Sequence, residues 1–76
     1  MYVKDINFVK YDHIPEEMQS LTKVRYKHQG EMSTLSLDDN EVKVLFHKKV
    51  EGIAPGQSAV FYEGNDVVGG GFIAKK

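Results

Sequence analysis

Lys23, Arg25 and Lys27 occupy alternate positions, and no other spacing in the chain suggests chemistry as directly. In an extended backbone alternate residues share a face, so the three cations line up over roughly 13 Å at about 3.3 Å per residue. That is the scale of a few neighbouring phosphates. The same pattern also describes the solvated outer side of a half-buried strand, where charged residues ordinarily sit. Tyr26 lies among them but faces the other way if the strand is regular, and it suits either a core position or a platform for stacking a base. His47-Lys48-Lys49 and Lys75-Lys76 are two further basic clusters, and each by itself reads as solubility.

Catalytic machinery is harder to find. His13, His28 and His47 are far apart in sequence, and no carboxylate joins them at metal-ligand or Ser-His-Asp spacing. The chain has no cysteine, which excludes disulfides, Cys-ligated zinc, thiolate nucleophiles and persulfide carriers from it. Gly69-Gly70-Gly71 lacks the G-x-G-x-x-G spacing of a phosphate cradle, and no helix follows it. Within a strand such glycines mark a bulge or a close backbone approach. The residues therefore predict no catalytic site, no metal and no bound cofactor. A net charge of -1 argues against holding nucleic acid through bulk positive charge, because non-specific affinity scales with the phosphates neutralised. Any RNA contact must be local.

The elements that position these residues read as short strands, because the apolar residues recur mostly at every second position between turn signals. The first strand is expected over Met1 to Tyr11, with Ile6 and Phe8 on one face and Asp5 and Asn7 on the other. Pro15-Glu16-Glu17, within 13–19, suits a single helical turn, since proline fits the first helical position and acids suit the amino end. A second strand follows from Thr22 to His28, with Val24 and Tyr26 on one face. Gln29-Gly30-Glu31 reads as a turn, and Met32 to Leu37 as a third strand in which Leu35 and Leu37 share a face. Asp38-Asp39-Asn40 predicts a hairpin returning through Glu41 to His47, with Val42, Val44 and Phe46 inward. Pro55-Gly56 suits a type II turn within the loop 51–57. Ser58 to Tyr62 and Val67 to Ala74 are the last two strands, joined at Gly64-Asn65-Asp66.

About six short strands with no helix to cover a sheet are most easily satisfied by a small closed or nearly closed antiparallel barrel. At 76 residues, 41% hydrophobic and 28% charged, the chain has an ordinary globular composition and room for one small core. No repeat or linker interrupts it, so one domain over residues 1–76 is expected. Met1 to Asp5 lacks the order of a secretory signal, and no apolar run approaches the roughly 20 residues of a membrane helix. An intracellular, cytoplasmic protein without membrane contact is the expectation.

Three stretches taken together resemble the end of the tRNA-specific 2-thiouridylase family: Lys23-Val24-Arg25-Tyr26, then 55–62 (Pro-Gly-Gln-Ser-Ala-Val-Phe-Tyr), then 68–73 (Val-Gly-Gly-Gly-Phe-Ile). The resemblance runs from the opening strand to Ile73. The chain departs from the family between Phe46 and Gly52, where Lys48-Lys49-Val50-Glu51-Gly52 replaces a Glu-Pro-Gln-Arg-Ala-like stretch. In that family an amino-terminal ATP-pyrophosphatase domain and a central domain precede a carboxyl-terminal β-barrel similar to the second domain of translation elongation factors. The complete enzyme is a sulfurtransferase that adenylates the wobble uridine of certain tRNAs and replaces its 2-oxygen with sulfur from cysteine persulfides. The S-G-G-x-D-S nucleotide loop and both catalytic cysteines are missing here, so the resemblance implies a barrel without activity of its own, with ATP bound elsewhere in the parent.

The resemblance assigns RNA contact to Arg25, Tyr26 and Gln57, beside the basic neighbours Lys23 and Lys27. Arg25 carries a planar fork of donors suited to phosphate, and Gln57 can both donate to and accept from a base or ribose. Two functions stand side by side. One is an accessory domain that positions tRNA for a distant active site. The other is a structural barrel that packs on its parent enzyme or on a sulfur-relay partner.

Overall fold

The computed structural model describes residues 1–10, 17–24, 30–38, 40–50 and 53–74. Within them the chain forms β1 (Tyr2–Phe8), β2 (Glu17–Val24), β3 (Glu31–Asp38), β4 (Glu41–Phe46), β5 (Ser58–Glu63) and β6 (Asp66–Ile73). These close into a barrel in the order β1-β4-β3-β2-β5-β6, and every neighbouring pair is antiparallel. The fold is thus the all-β closed barrel that the alternation predicts, and closure gives every strand a paired neighbour on each side.

Alternation explains most of the wall. Val42 and Val44 on β4 are buried while Lys43 and Leu45 between them are exposed, and Phe46 packs against the core from its edge. Phe61, Leu35, Val3, Val68 and Val42 are fully enclosed at the centre. Truncating Phe61 to Ala would cost about 3–5 kcal/mol. That is a large share of the roughly 4–11 kcal/mol a chain this long can have at 0.05–0.15 kcal/mol per residue.

The turns follow their residues. β3 and β4 pair out to Asp38 opposite Glu41, which leaves the expected two-residue hairpin. Gly64 (φ 62°) fills the first of two loop positions between the paired Glu63 and Asp66, where type I′ and II′ turns require positive φ. At Pro55-Gly56 the Gln57 amide donates to the Ala54 carbonyl at 3.3 Å and Gly56 has φ 90°, the type II turn read from the sequence.

Several expectations change. Glu17, Met18 and Gln19 belong to β2, paired with Ser36, Leu35 and Thr34 of β3, so they form strand and not the end of a helical turn; His13–Glu16 lie outside the described residues. Pairing with β3 overrides the local preference of a proline followed by acids. The second strand accordingly starts five residues earlier than Thr22. The first ends at Phe8, and Tyr11 is outside the described residues. Leu37 stands on the same side as Leu35 by alternation, but it lies near the strand end and is exposed.

Ser20, Thr22 and Ser33 are buried in the barrel interior, a placement that strand alternation allows but hydropathy does not suggest. Thr22 Oγ1 and Ser33 Oγ are 2.7 Å apart, Ser33 Oγ donates to the Ser20 carbonyl at 3.0 Å, and Ser20 Oγ donates to the Tyr62 carbonyl at 3.1 Å. These bonds satisfy hydroxyls that would otherwise cost free energy when buried.

The glycine run works together with a bulge in β1. Asp5 has φ 53°, and the pairing of β1 with β6 gains one residue on β1 between Lys4 and Asn7. The extra residue switches parity, so Val3 and Ile6 both turn toward the core. A Cβ on Gly69 would stand 2.6 Å from the Asn7 carbonyl oxygen, one on Gly70 2.6 Å from that of Ala59, and one on Gly71 against that of Lys4. The run marks close backbone approach, as expected from its position within a strand.

Candidate nucleic-acid interface

Pairing registers fix which residues share an end of the barrel. Thr22 is opposite Glu31, Val24 opposite Ala59, Ser58 opposite Phe72, and Tyr2 opposite Lys43. The end of β2, the start of β3, the end of β4, the start of β5 and the end of β6 therefore form one rim. Gln57 stands on it, with exposed Lys48 and Lys49 just past β4. Val24 and Gly30, which flank segment 25–29, are on the same rim. That segment carries Arg25, Tyr26 and Lys27, which lie outside the described residues.

Lys23 is half-buried, outward between the buried Thr22 and Val24. Its Nζ sits 4.9 Å from the centroid of the Tyr62 ring. The pair is diagonal across β2 and β5, since Lys23 is opposite Val60 and Leu21 opposite Tyr62. An ammonium over an aromatic face is held by the ring quadrupole, so this side chain is oriented while its charge is kept. Gln57 lies three residues before Val60, just outside β5, about 10 Å away at 3.3 Å per residue, and the Lys23 ammonium leans the other way, toward Tyr62. The structure therefore puts Lys23 and Gln57 on the same side of the barrel but does not bring the Lys23 charge to Gln57.

Gln57 is held by its own turn. Its Oε1 accepts from the Ala54 amide at 3.1 Å, its carbonyl accepts from the Ile73 amide at 2.8 Å, and the Gly56 amide donates to the Ile73 carbonyl at 2.9 Å. The turn is stitched to the end of β6, and the side-chain oxygen closes it. With Oε1 engaged, the donor half of the amide, Nε2, has no hydrogen-bond partner among the described residues.

Two features escaped sequence reasoning. Tyr62, as the partner of Lys23, had one signal: it falls between the inward Phe61 and the turn, at an outward position where an aromatic has no core to fill. Lys48 and Lys49 read as isolated solubility residues, and the pairing of strands sets them on the same rim as Gln57, with β4 three strands round the barrel from β5. His47 engages Thr34, with Nε2 at 3.0 Å from Thr34 Oγ1, which also accepts from Gln19 Nε2 at 3.1 Å. Among the described residues no three His, Asp or Glu side chains gather as metal ligands, and no helix is long and apolar enough to cross a membrane.

Comparison with known proteins covers nearly the whole chain. The family model described as the aminomethyltransferase beta-barrel domain matches residues 1–73. The tRNA-specific 2-thiouridylase MnmA of Cytophaga hutchinsonii is 51% identical over 74 residues, 96% of this chain and 20% of that protein. The protein of the same description from Amoebophilus asiaticus is 50% identical over the same shares, and tRNA-specific 2-thiouridylase MnmA 1 of Clostridium tetani is 42% identical. The chain spans about a fifth of the length of these curated relatives. A closed six-stranded barrel, a glycine run that close backbone approach explains, and this match over 1–73 lead to one assignment: the chain belongs to the aminomethyltransferase β-barrel domain family and is similar over nearly its whole length to a part of the tRNA-specific 2-thiouridylases.

Proposed function

We propose that this barrel is a tRNA-binding accessory domain of a tRNA 2-thiouridylase, acting in the cytoplasm and holding tRNA so that an active site elsewhere in the enzyme reaches the wobble uridine. The observation that carries the reading is that Lys48, Lys49 and Gln57 stand on one rim of the barrel, the rim that Val24 and Gly30 also border. Arg25, Tyr26 and Lys27 lie outside the described residues and enter the proposal by their chemistry: a phosphate fork, a stacking ring and a further cation. The relatives named above act on tRNA by their description, and the chemistry of this rim suits phosphate and ribose. The barrel contributes orientation and leaves thiolation, ATP and persulfide sulfur to the rest of the enzyme.

Few phosphates are touched, so binding is weak and local. The isolated chain should bind tRNA with a Kd of about millimolar to tens of micromolar, and about three phosphate contacts imply a log-log salt slope of roughly -2 to -3. Titrating tRNA into the labelled chain should shift backbone resonances around Gln57, Lys48 and Lys49. Shifts confined to the opposite rim would overturn the reading.

A second reading, a barrel that packs on the enzyme body or on a sulfur-relay protein and touches RNA little, draws on a different observation. The outer wall over the glycine run is apolar. On that reading alone, reversing the charge of Lys48 and Lys49 leaves tRNA affinity unchanged.

A further inference from the structure

The outer wall of β6 carries a groove of about 360 Å³ whose floor is the glycine run. Glycine is needed there for backbone packing, and its second effect is to leave the wall without side chains between two apolar lips. Val9 and Val60 border the groove from either side, and Val67 and Phe72 close its two ends. Val9 is 65% exposed, Phe72 46% and Val67 39%, so three large apolar side chains face outward around a single depression.

The chemistry of the groove selects its occupant. β6 is hydrogen-bonded to β1 on one side and β5 on the other, so no free edge exists for an added strand and contact must come through side chains. Asp5 borders the groove, and Asp66, beside Val67 at one end, is already paired with Lys10. Lys4, opposite Phe72, is balanced by Asp5, so the groove offers little to a phosphate backbone. An apolar ridge of protein fits it. In the relatives named above this barrel is 20% of the polypeptide, so it is tethered to a body that makes up the remaining four-fifths, at the high local concentration a short covalent link provides.

We infer that the groove over Gly69–Gly71, with Phe72 and Val9 as its anchors, is where the barrel docks on an apolar ridge of the 2-thiouridylase body. This inference rests on the family assignment and deepens the reading of the barrel as an accessory domain. Docking through this wall reaches the rim only along the arc of Phe72 and Ser58 and leaves the arc of Lys48 and Lys49, past β4, uncovered, so body and RNA can be held at once. Interfaces between domains of one chain bury about 600–1,500 Å², and a groove with exposed aromatic and aliphatic lips suits the centre of such a contact.

Hydroxyl-radical footprinting read by mass spectrometry tests it, on the isolated chain and on the full-length Cytophaga hutchinsonii enzyme carrying this barrel in place of its own. Oxidation of Phe72 and Val9 should fall several-fold in the chimaera, while Met32, 43% exposed on β3 away from the groove, stays as reactive as before. Val9→Lys, an exposed change the isolated barrel tolerates, should restore oxidation of Phe72 in the chimaera. Equal oxidation of Phe72 in both proteins overturns the inference. Protection that appears only on adding tRNA overturns it in favour of an RNA occupant, and protection of the isolated chain that grows with its concentration overturns it in favour of a second copy. None of these outcomes bears on the cationic rim, whose role is read separately from tRNA affinity of the Lys48→Glu/Lys49→Glu chimaera.

Discussion

The two ends of the barrel are made of the same parts, strand termini joined by short connections, and they carry opposite charge. On one rim the described charges are Lys48 and Lys49 with Glu31 as the acid, and Lys23 stands one position in from Val24. On the other are Glu17, Asp38, Glu41, Glu63 and Asp66 with Lys10 as the cation. The net charge of -1 averages these two ends with the rest of the chain and describes neither. Strand pairing, which no composition records, sorts the charges, and the resulting field would turn the cationic rim toward a polyanion and the acidic rim away from it.

The comparison can be broken by charge reversal. Lys48→Glu with Lys49→Glu should weaken tRNA binding by roughly tenfold or more and flatten the log-log salt slope by about 2, measured by anisotropy across a salt series. Glu17→Lys with Asp38→Lys on the far rim should leave affinity nearly unchanged. If both pairs move affinity by the same amount in opposite senses, total charge governs binding and the rims are equivalent.

Gln57 sharpens it. Gln57→Ala removes the acceptor that closes the Ala54–Gln57 turn and should lower stability by about 1 kcal/mol, seen as a lower urea midpoint. Gln57→Glu keeps an oxygen for the Ala54 amide but replaces the Nε2 donor with a negative charge. It should unfold near the wild-type midpoint and bind tRNA several-fold more weakly. Equal tRNA binding by wild type and Gln57→Glu would leave this side chain a purely structural part.

Smaller effects lie inward from the rim and opposite it. Lys23→Met keeps the alkyl stem over Tyr62 and removes the ammonium, so it should cost about 0.5–1 kcal/mol of stability and reduce the salt slope by about 1. Lys10 on the acidic rim donates to Glu63 Oε1 at 2.6 Å and to Asp66 Oδ2 at 3.0 Å. Hydrogen bonds first to Glu63 and then to Asp66 raise its pKa above the ordinary value of 10.5. A raised pKa means this contribution is complete below 10.5 and is lost only as pH rises through the shifted value. The difference in Tm between wild type and Lys10→Met should therefore be small and flat from about pH 6 to 9, and tRNA binding should not change.

Much of the barrel was legible because local pattern and tertiary demand agree. Val42, Val44 and Phe46 alternate as the wall requires, and Pro55-Gly56 and Gly64-Asn65 stand where the backbone turns. The failures occur where they disagree. Nothing local in Glu17-Met18-Gln19 outweighs the proline before it, and only β3 and its six paired positions make that segment a strand. The parity switch at Asp5 depends on Gly71 across the ladder, which a scan of one strand cannot see. For the candidate site, Gln57 came from the family resemblance, with its turn as a supporting reason, and Lys23 from alternation. That Lys48 and Lys49 share a rim with Gln57 required the strand pairing round the whole barrel.

The hydroxyls of Ser20, Thr22 and Ser33 have a consequence beyond their own bonds. Apolar side chains tolerate sliding, because one methyl contact resembles another, but a hydroxyl enclosed in hydrocarbon accepts only the partner in front of it. Displacing β2 by two residues along β3, in the sense that carries Thr22 away from Ser33, would keep every face correct and still separate the two hydroxyls, stranding both. The interior of this barrel thus discriminates between alignments that greasy packing alone would treat as near equals, so a Thr22→Val/Ser33→Ala barrel should lose uniqueness of structure before it loses compactness.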